Sequence, residues 1–437
     1  MSDAAIHHYL DEFTRTRGTH PGSDLGEQAL AYLQQQGFPT TRQENWKYTD
    51  VKAITKRRFR TVAAADSDAT LLAAARFDDL ACHELLFVNG VYVATADHQP
   101  LPEGVTVQPL LTALQQQPTL LKQLGPLTET AYKHSFSALN LAFLTGGALI
   151  SIADDTELET PINLIYLANQ QAEPVAAHPF NLILLGKHAR ATVIESYLGA
   201  DDAEYFTNSR TRIRADASAT LVHYKIQQES LKAFHIGHTD IEQKQDSTVT
   251  SHSIALGAAL ARNDIDTDLA EPGATINLNG LYLTNGRQHI DNHTRVDHLQ
   301  PNTSSNENYR GVMNDHSRAV FNGKVVVHEQ AQKTAAHQSN ANLLLSDNAE
   351  VDTKPELEIY ADDVQCSHGA TVGQLDEDML FYLRSRAIDE HTATSLLTYA
   401  FADEVIKAID IRPIRERLEY IVAGKLPDSE LIKEFMS

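Results

Sequence analysis

Cysteine is almost absent: Cys82 and Cys366 are the only two in 437 residues. Two cysteines cannot build a disulfide framework, so a reducing compartment is the default. They also cannot supply the closely spaced cysteine run that holds a resident iron–sulfur cluster. Basic residues are scarce as well, with 36 Lys and Arg against 58 Asp and Glu and a net charge of −22. A nucleic-acid partner needs a basic stripe to neutralise phosphates, and none stands out. The one basic run, Lys56-Arg57-Arg58 with Arg60, is short and reads as a solvated face. No apolar run is long enough for a membrane span. The longest, Leu139–Ala153, is interrupted by Asn140, Thr145, Gly146 and Gly147. The N-terminal stretch MSDAAIHHYLDEF shows no basic region followed by an apolar one, so no secretory leader is expected and the cytoplasm is the expected location. Phosphate-binding motifs are missing too. The Gly-Lys pairs at Gly186, Gly323 and Gly424 have Asn181, Arg318 and Glu419 where a P-loop requires its first glycine. No Rossmann fingerprint and no nucleophile elbow occurs, so this chain is expected to bind no nucleotide of its own.

What is present is a change of texture along the chain. A length of 437 residues and a 42% hydrophobic share give room for two or three domains with packed cores. Residues 1–145 read as an α-rich domain. Ile6, Tyr9, Leu10 and Phe13 recur at helical spacing; Ser23 can cap a second helix that Gly37 closes; and the Leu-rich stretch from 107 to 145 is again helical. Inside this domain LLFVNGVYV at 85–93 reads as a hairpin about Asn89-Gly90. From 146 to 373 helical periods vanish and short alternating runs take over. A polar turn, a small residue and a strand recur at Gly186, Asp216, Asp246 and Glu271, steps of 30, 30 and 25 residues, with less regular copies at Asp315 and Asp347. A repeat of that length predicts a parallel β-helix, each coil burying its inner face against the next. Asn279-Gly280 and Asn285-Gly286 keep a hairpin-built sandwich open as the alternative. A β-helix has open ends, and the flanking helical segments are placed to cover them. Residues 374–437 return to helices, with Asp389 capping the longest, Asp410 and Pro413 opening another, and a short one following from Asp428.

The stretch with most chemistry is ELEIYADDVQCSHGATVG, Glu356–Gly373. On a strand, Cys366 and His368 project from one face, roughly 7 Å apart at Cα. A thiol and an imidazole so placed can address one metal, one cluster or one partner surface, or can simply be a small buried hydrophobe and its neighbour. GRQHIDNHTRVDH offers His289, His293 and His298 at spacings that suggest a metal site. Its β-branched residues argue for a strand, which holds the first two roughly 13 Å apart and turns the third to the other face, so no chelate is expected. Asp362-Asp363 is the best carboxylate pair for a β-helix polysaccharide hydrolase, the alternative function; with aromatics at only 7%, a sugar-stacking groove is poorly supplied.

Four stretches together carry a resemblance: ENWKYTDV at Glu44–Val51, QHIDNHTRVDH at Gln288–His298, YRGVMNDHSRAVFNGKVVV at Tyr309–Val327, and KPELEIYADDVQCSHGATVGQLDEDMLFYLRSR at Lys354–Arg386. The chain resembles the SufB/SufD family of iron–sulfur cluster assembly scaffolds, and within it the SufD branch. The resemblance implies a mainly β fold with α, a right-handed parallel β-helix between N- and C-terminal helical domains. It implies a non-catalytic scaffold that pairs with SufB through the β-helix, or with itself when alone, and docks the SufC ATPase through the C-terminal helices. There Leu396, Leu397 and Phe401 are the expected contacts. It also implies that a transient iron–sulfur cluster forms at the partner interface, with His368 as iron ligand and Cys366 beside it.

Overall fold

The computed structural model describes residues 2–16, 23–62, 67–94, 100–124, 135–171 and 173–426. Its centre is a parallel β-solenoid of about 8 turns built from two facing sheets. The front sheet runs from His83–Val88 through Ile162–Ala168, Arg190–Gly199, Thr220–Gln228, Thr248–Ala255, Thr275–Thr284, Ser304–Met313 and Ala335–Leu344 to Gln365–Gly373. The back sheet runs from Ala148–Ile152 through Phe180–Leu185, Tyr205–Ala215, Phe234–Gln243, Leu260–Leu269, His289–His298 and Arg318–Val327 to Glu350–Ile359. From Phe180–Leu185 onward, consecutive strands in the chain belong to opposite sheets, so each coil supplies one strand to each. Asn285-Gly286 therefore turns the chain from front to back and is no hairpin, and Asn279-Gly280 lies inside a strand.

The corners explain the repeat. Before the six front strands from Arg190–Gly199 to Ala335–Leu344 one residue takes a positive φ: His188, Ser218, Asp246, Gly273, Asn302 and Lys333. That left-handed residue reverses the chain in little space, and the strand begins two positions later. The sequence copies at Asp315 and Asp347 precede back strands, half a coil out of phase with the earlier four. This is why they look less regular.

The lumen between the sheets is apolar along most of its length, with Leu221, Val249, Ile276, Tyr282, Ile290, Phe321 and Val325 in one buried cluster. The N-terminal helices Ser2–Thr16, Ser23–Gln36 and Ser135–Phe143 pack, through Tyr9, Phe13, Leu33 and Phe136, on the outside of the back sheet at Phe206, Phe234 and Leu260. Gly37 ends the second of them at φ 68, its N–H returning to Leu33 O at 2.9 Å. The expected hairpin forms, Val88 opposite Val91, and its first strand also joins the front sheet in parallel with Ile162–Ala168. The tail helices are Glu377–Arg384, Glu390–Ile406 and Arg412–Lys425. Asp389 caps the longest by accepting from Thr392 N, and proline opens the last. Ala402, Val405, Ile406, Ile414 and Leu418 lie buried on the outer face of the front sheet, against Ile226, Ile254, Leu281 and Val312. Each of the valine, isoleucine and leucine side chains contributes roughly 1.5–3 kcal/mol. The helix expected after Asp428 lies outside the described residues.

The helical groups were expected to cover the ends of the solenoid, but they cover its two outer faces. At the C-terminal end the final strands Glu350–Ile359 and Gln365–Gly373 have no further strand partner among the described residues, and Ile359, Tyr360 and Val372 are exposed there.

Candidate functional site at the open end

Cys366 and His368 stand on the last front strand, opposite Ala336 and Gln338 of the strand before. Ala336 and Gln338 are buried, and Cys366 packs against the lumen cluster, so the spacing of two turns both side chains inward. Among the described residues no coil follows, so at this level inward is also outward to solvent: His368 is exposed and Cys366 half-buried. Burial pushes the Cys366 thiol up, and a hydrogen bond with the Ala336 backbone works against that rise without cancelling it. The thiol is thus protonated near neutrality and is not a pre-formed thiolate. Ser367, between them, faces outward and meets His337 Nδ1 at 2.8 Å.

Two residues beneath this pair escape sequence reading. In register below His368 come Gln338 and then Glu307, both on the inward face. Glu307 is fully enclosed; its Oε2 accepts from Thr294 Oγ1 at 2.6 Å while Oε1 has no partner. Neither amide atom of Gln338 makes a well-aligned hydrogen bond. Burial pushes Glu307 up to about 7, with Thr294 and the nearby Gln338 amide opposing. The signal that finds these residues is the spacing of one coil length between 307, 338 and 368, visible only once the phase of the coils is known.

The histidine-rich stretch does other work. His289 and His293 face outward from the back sheet and His298 inward, as the strand reading requires. His298 is held by Thr303 Oγ1 at 2.8 Å and Ser305 Oγ at 2.9 Å. Asp291, buried between the other two, lies 2.9 Å from His293 Nε2 and accepts from Arg262 Nη1 at 2.9 Å and Thr49 Oγ1 at 2.5 Å. Arg262 also donates to Asn45 O at 2.6 Å and stacks on Trp46, 3.8 Å from the ring centre. Burial alone would raise the Asp291 carboxyl, but His293 and Arg262 outweigh it and hold it at about 2. The ENWKYTDV and QHIDNHTRVDH stretches thus form one clamp that fastens the N-terminal domain to the solenoid. Lys354 extends it, bonding Glu44 at 2.9 Å.

Among the described residues one group, His238, Asp240 and Asp266, brings possible metal-ligand atoms within 4.8 Å of one another. It is occupied by protein partners: Arg210 donates to Asp240, and His238 bonds Asp266 at 2.8 Å and Ser137 Oγ at 3.0 Å. Asp362 and Asp363 sit on the exposed turn before the last front strand, where the Asp363 carbonyl accepts from Lys333 N. Phe401 is half-buried on the front sheet, under the Arg310 guanidinium at 4.8 Å, while Leu396 and Leu397 are half-buried on the same helix. Among the described residues the exposed large apolar side chains of the tail are instead Met379, Phe381 and Tyr382, with Tyr420 on the last helix. Cys82 is half-buried and its thiol is pushed up to about 12, first by burial.

A family profile described as SUF system FeS cluster assembly, SufBD core domain, matches residues 166–401, and one for the SufBD protein N-terminal region matches 21–164. The chain belongs to the SufBD family. It is 33% identical over 96% of its length, and 96% of the relative's, to the iron–sulfur cluster assembly protein SufD of Escherichia coli K12. An iron–sulfur cluster assembly SufBD family protein of Synechocystis is 34% identical, covering 88% of this chain and 87% of its own. Bacillus subtilis SufD is 26% identical over 74% of both. This SufBD chain is accordingly a SufD-family protein of the Suf iron–sulfur cluster assembly system. No helix among its described residues is long and apolar enough to cross a membrane.

Proposed function

We propose that this chain is the non-catalytic scaffold half of a cytosolic assembly site whose other half is a SufB-type partner. One observation carries the reading: the solenoid ends in two bare edge strands, with His368 and Cys366 on the inner face of one of them. A bare edge presents a row of unpaired backbone N–H and C=O groups and can template another chain's strand. Ile359, Tyr360 and Val372 add apolar area to that edge. A partner solenoid added there would put its own side chains against His368. His368 then offers a ring nitrogen to incoming iron, and the partner supplies the thiolate. The growing cluster is cargo held between the two chains, and Cys366, protonated and half-buried, is the auxiliary group. The tail helices dock the SufC-type ATPase; what supports this is their exposed apolar surface at Met379, Phe381 and Tyr382 together with the missing P-loop. ATP-driven approach of two ATPase subunits would pull on the tails and rotate the paired solenoids, a rigid-body switch.

The test is iron and acid-labile sulfide in the anaerobically co-purified complex, wild type beside His368→Ala. Loss of both with the complex intact is expected. Unchanged iron and sulfide would overturn the assignment of His368. For docking, Phe381→Asp with Tyr382→Asp is set against Leu396→Asp with Leu397→Asp in a pull-down with the ATPase. Retention by both folded variants would reject the tail as the docking surface.

A further inference from the structure

We propose that Glu307 and Gln338 are the inner, positioning half of the metal site at the open end, Gln338 orienting the His368 ring and Glu307 supplying the negative charge that a bound divalent cation calls for. The inference rests on the reading of His368 as an iron ligand and names what stands behind it.

The geometry is a column. Glu307, Gln338 and His368 are register partners on three consecutive front strands. Neighbouring strands lie about 4.8 Å apart, so Glu307 sits about 10 Å beneath His368 with Gln338 between them. Buried polar atoms in native proteins are nearly always paired. Here three in one column lack a well-aligned partner: Glu307 Oε1 and both amide atoms of Gln338, whose amide comes near the Glu307 carboxylate without aligning on it. Space has been cleared for them. Gly323 lies across the lumen, and a Cβ there would stand 2.0 Å from Gln338 Nε2. The same register sets Thr294, Gly323 and Pro355 along the facing column. Thr294 holds one oxygen of Glu307, and the other two residues bring no polar side chain to compete for Gln338. The top of the column is the exposed imidazole.

Charge gives the column its use. Burial keeps Glu307 protonated up to about 7. Tyr309, beside it on its own strand, and Tyr282, on the strand beneath, are the titratable groups near it within the sheet; burial raises both far above the ordinary tyrosine range, so they stay neutral. Thr294 and Phe321 on the back sheet bring no charge; His298, inward on that sheet and bonded to Ser305, is kept neutral by burial; and Cys366 and His368 close the list at the open end. A divalent cation on His368 acts on Glu307 through a water-poor interior and favours its ionised form. The Glu307 proton leaves to solvent as the cation arrives, and the carboxylate left behind offsets one of its charges.

The probe is cobalt(II), added anaerobically to the purified full-length chain and followed by its ligand-field absorption and by calorimetry in buffers of different ionisation enthalpy. Wild type should bind more tightly as pH rises from 6 to 8 and release a proton on binding. Glu307→Gln should bind at least about tenfold more weakly at pH 7.5, release fewer protons (close to one fewer at pH 6, only about a quarter of one fewer at pH 7.5) and show a flatter pH profile. Glu307→Asp should restore part of the proton release. Gln338→Leu should weaken binding and change the absorption while keeping the pH slope. If His368→Ala abolishes binding but Glu307→Gln matches wild type at every pH, this inference fails and the reading of His368 stands. If His368→Ala binds as wild type does, or wild type binds no cobalt, the reading beneath it falls and this inference with it. Thermal melts of each variant separate loss of fold from loss of site.

Discussion

Two of the polar clusters in the lumen of the solenoid are built oppositely. Near its first coils, Glu195 accepts from Tyr197, Thr211 and His223; Glu229 accepts from Thr207, Gln227 and His235; and Lys225 Nζ donates to Asn263 at 2.8 Å. Every ionised group there is buried and answered by a partner. Near the last coils, Glu307 and Gln338 are equally buried, yet three of their polar atoms go unanswered. The first cluster fixes the packing of one coil on the next, because a charge with all its partners in place is costly to disturb. The second is left incomplete beneath an open end, where something from outside can complete it. Polarity inside a β-solenoid is therefore not one property: a closed network holds the fold, and an open one waits.

Substitutions can separate the two. The largest effect belongs to the closed cluster. Lys225→Met removes the cation between two buried carboxylates and should cost about 3–5 kcal/mol in urea unfolding; a loss near zero would place the network's worth elsewhere. Next comes Glu307, with the opposite sign. Its folded pKa of about 7 lies above the usual 4.5, so its contribution is fully present below about 4.5 and falls as pH rises to about 7. Wild type should lose about 3 kcal/mol against Glu307→Gln across that window, from roughly 2.5 units at about 1.36 kcal/mol each. Equal pH slopes would mean that Glu307 is ionised throughout.

Outside the lumen, Asp291→Asn should loosen the clamp by about 2 kcal/mol. Asp291 is depressed to about 2, so its contribution is present above about 4 and lost as pH falls towards 2; the gap between wild type and variant should close in acid melts. The smallest change is Asp389→Ala. It removes the cap of the long tail helix for about 1 kcal/mol and should show in hydrogen exchange of that helix while the solenoid stays protected.

How much of this could be read beforehand follows the range of each interaction. Alternation and turn chemistry are local, so the β-helix, the hairpin at Asn89-Gly90 and the cap at Asp389 were legible. The phase of the coils was not, because the corner position is filled by Ser218 and Lys333 as well as by His188, Asp246, Gly273 and Asn302, and only the last four are of types enriched in that conformation. Without the phase, Glu307 and Gln338 look like ordinary polar residues of two separate strands, and Glu195 and Lys225 like a solvated face. That Cys366 and His368 share one face was legible because a spacing of two needs no knowledge of neighbouring strands. That Trp46 and Asp291 belong to one clamp is a contact across well over 200 residues, which spacing cannot show.

The bare end has a consequence for supply. A chain that adds strands at Gln365–Gly373 binds the folded form alone, so it raises the folded population by mass action and with its own concentration. A cell making this protein in excess of whatever completes that edge holds a pool of unfinished sheets, each a template for the next copy. On the pairing proposed above, matched production of the two chains is a structural requirement, as binding for the cell as any residue in the site.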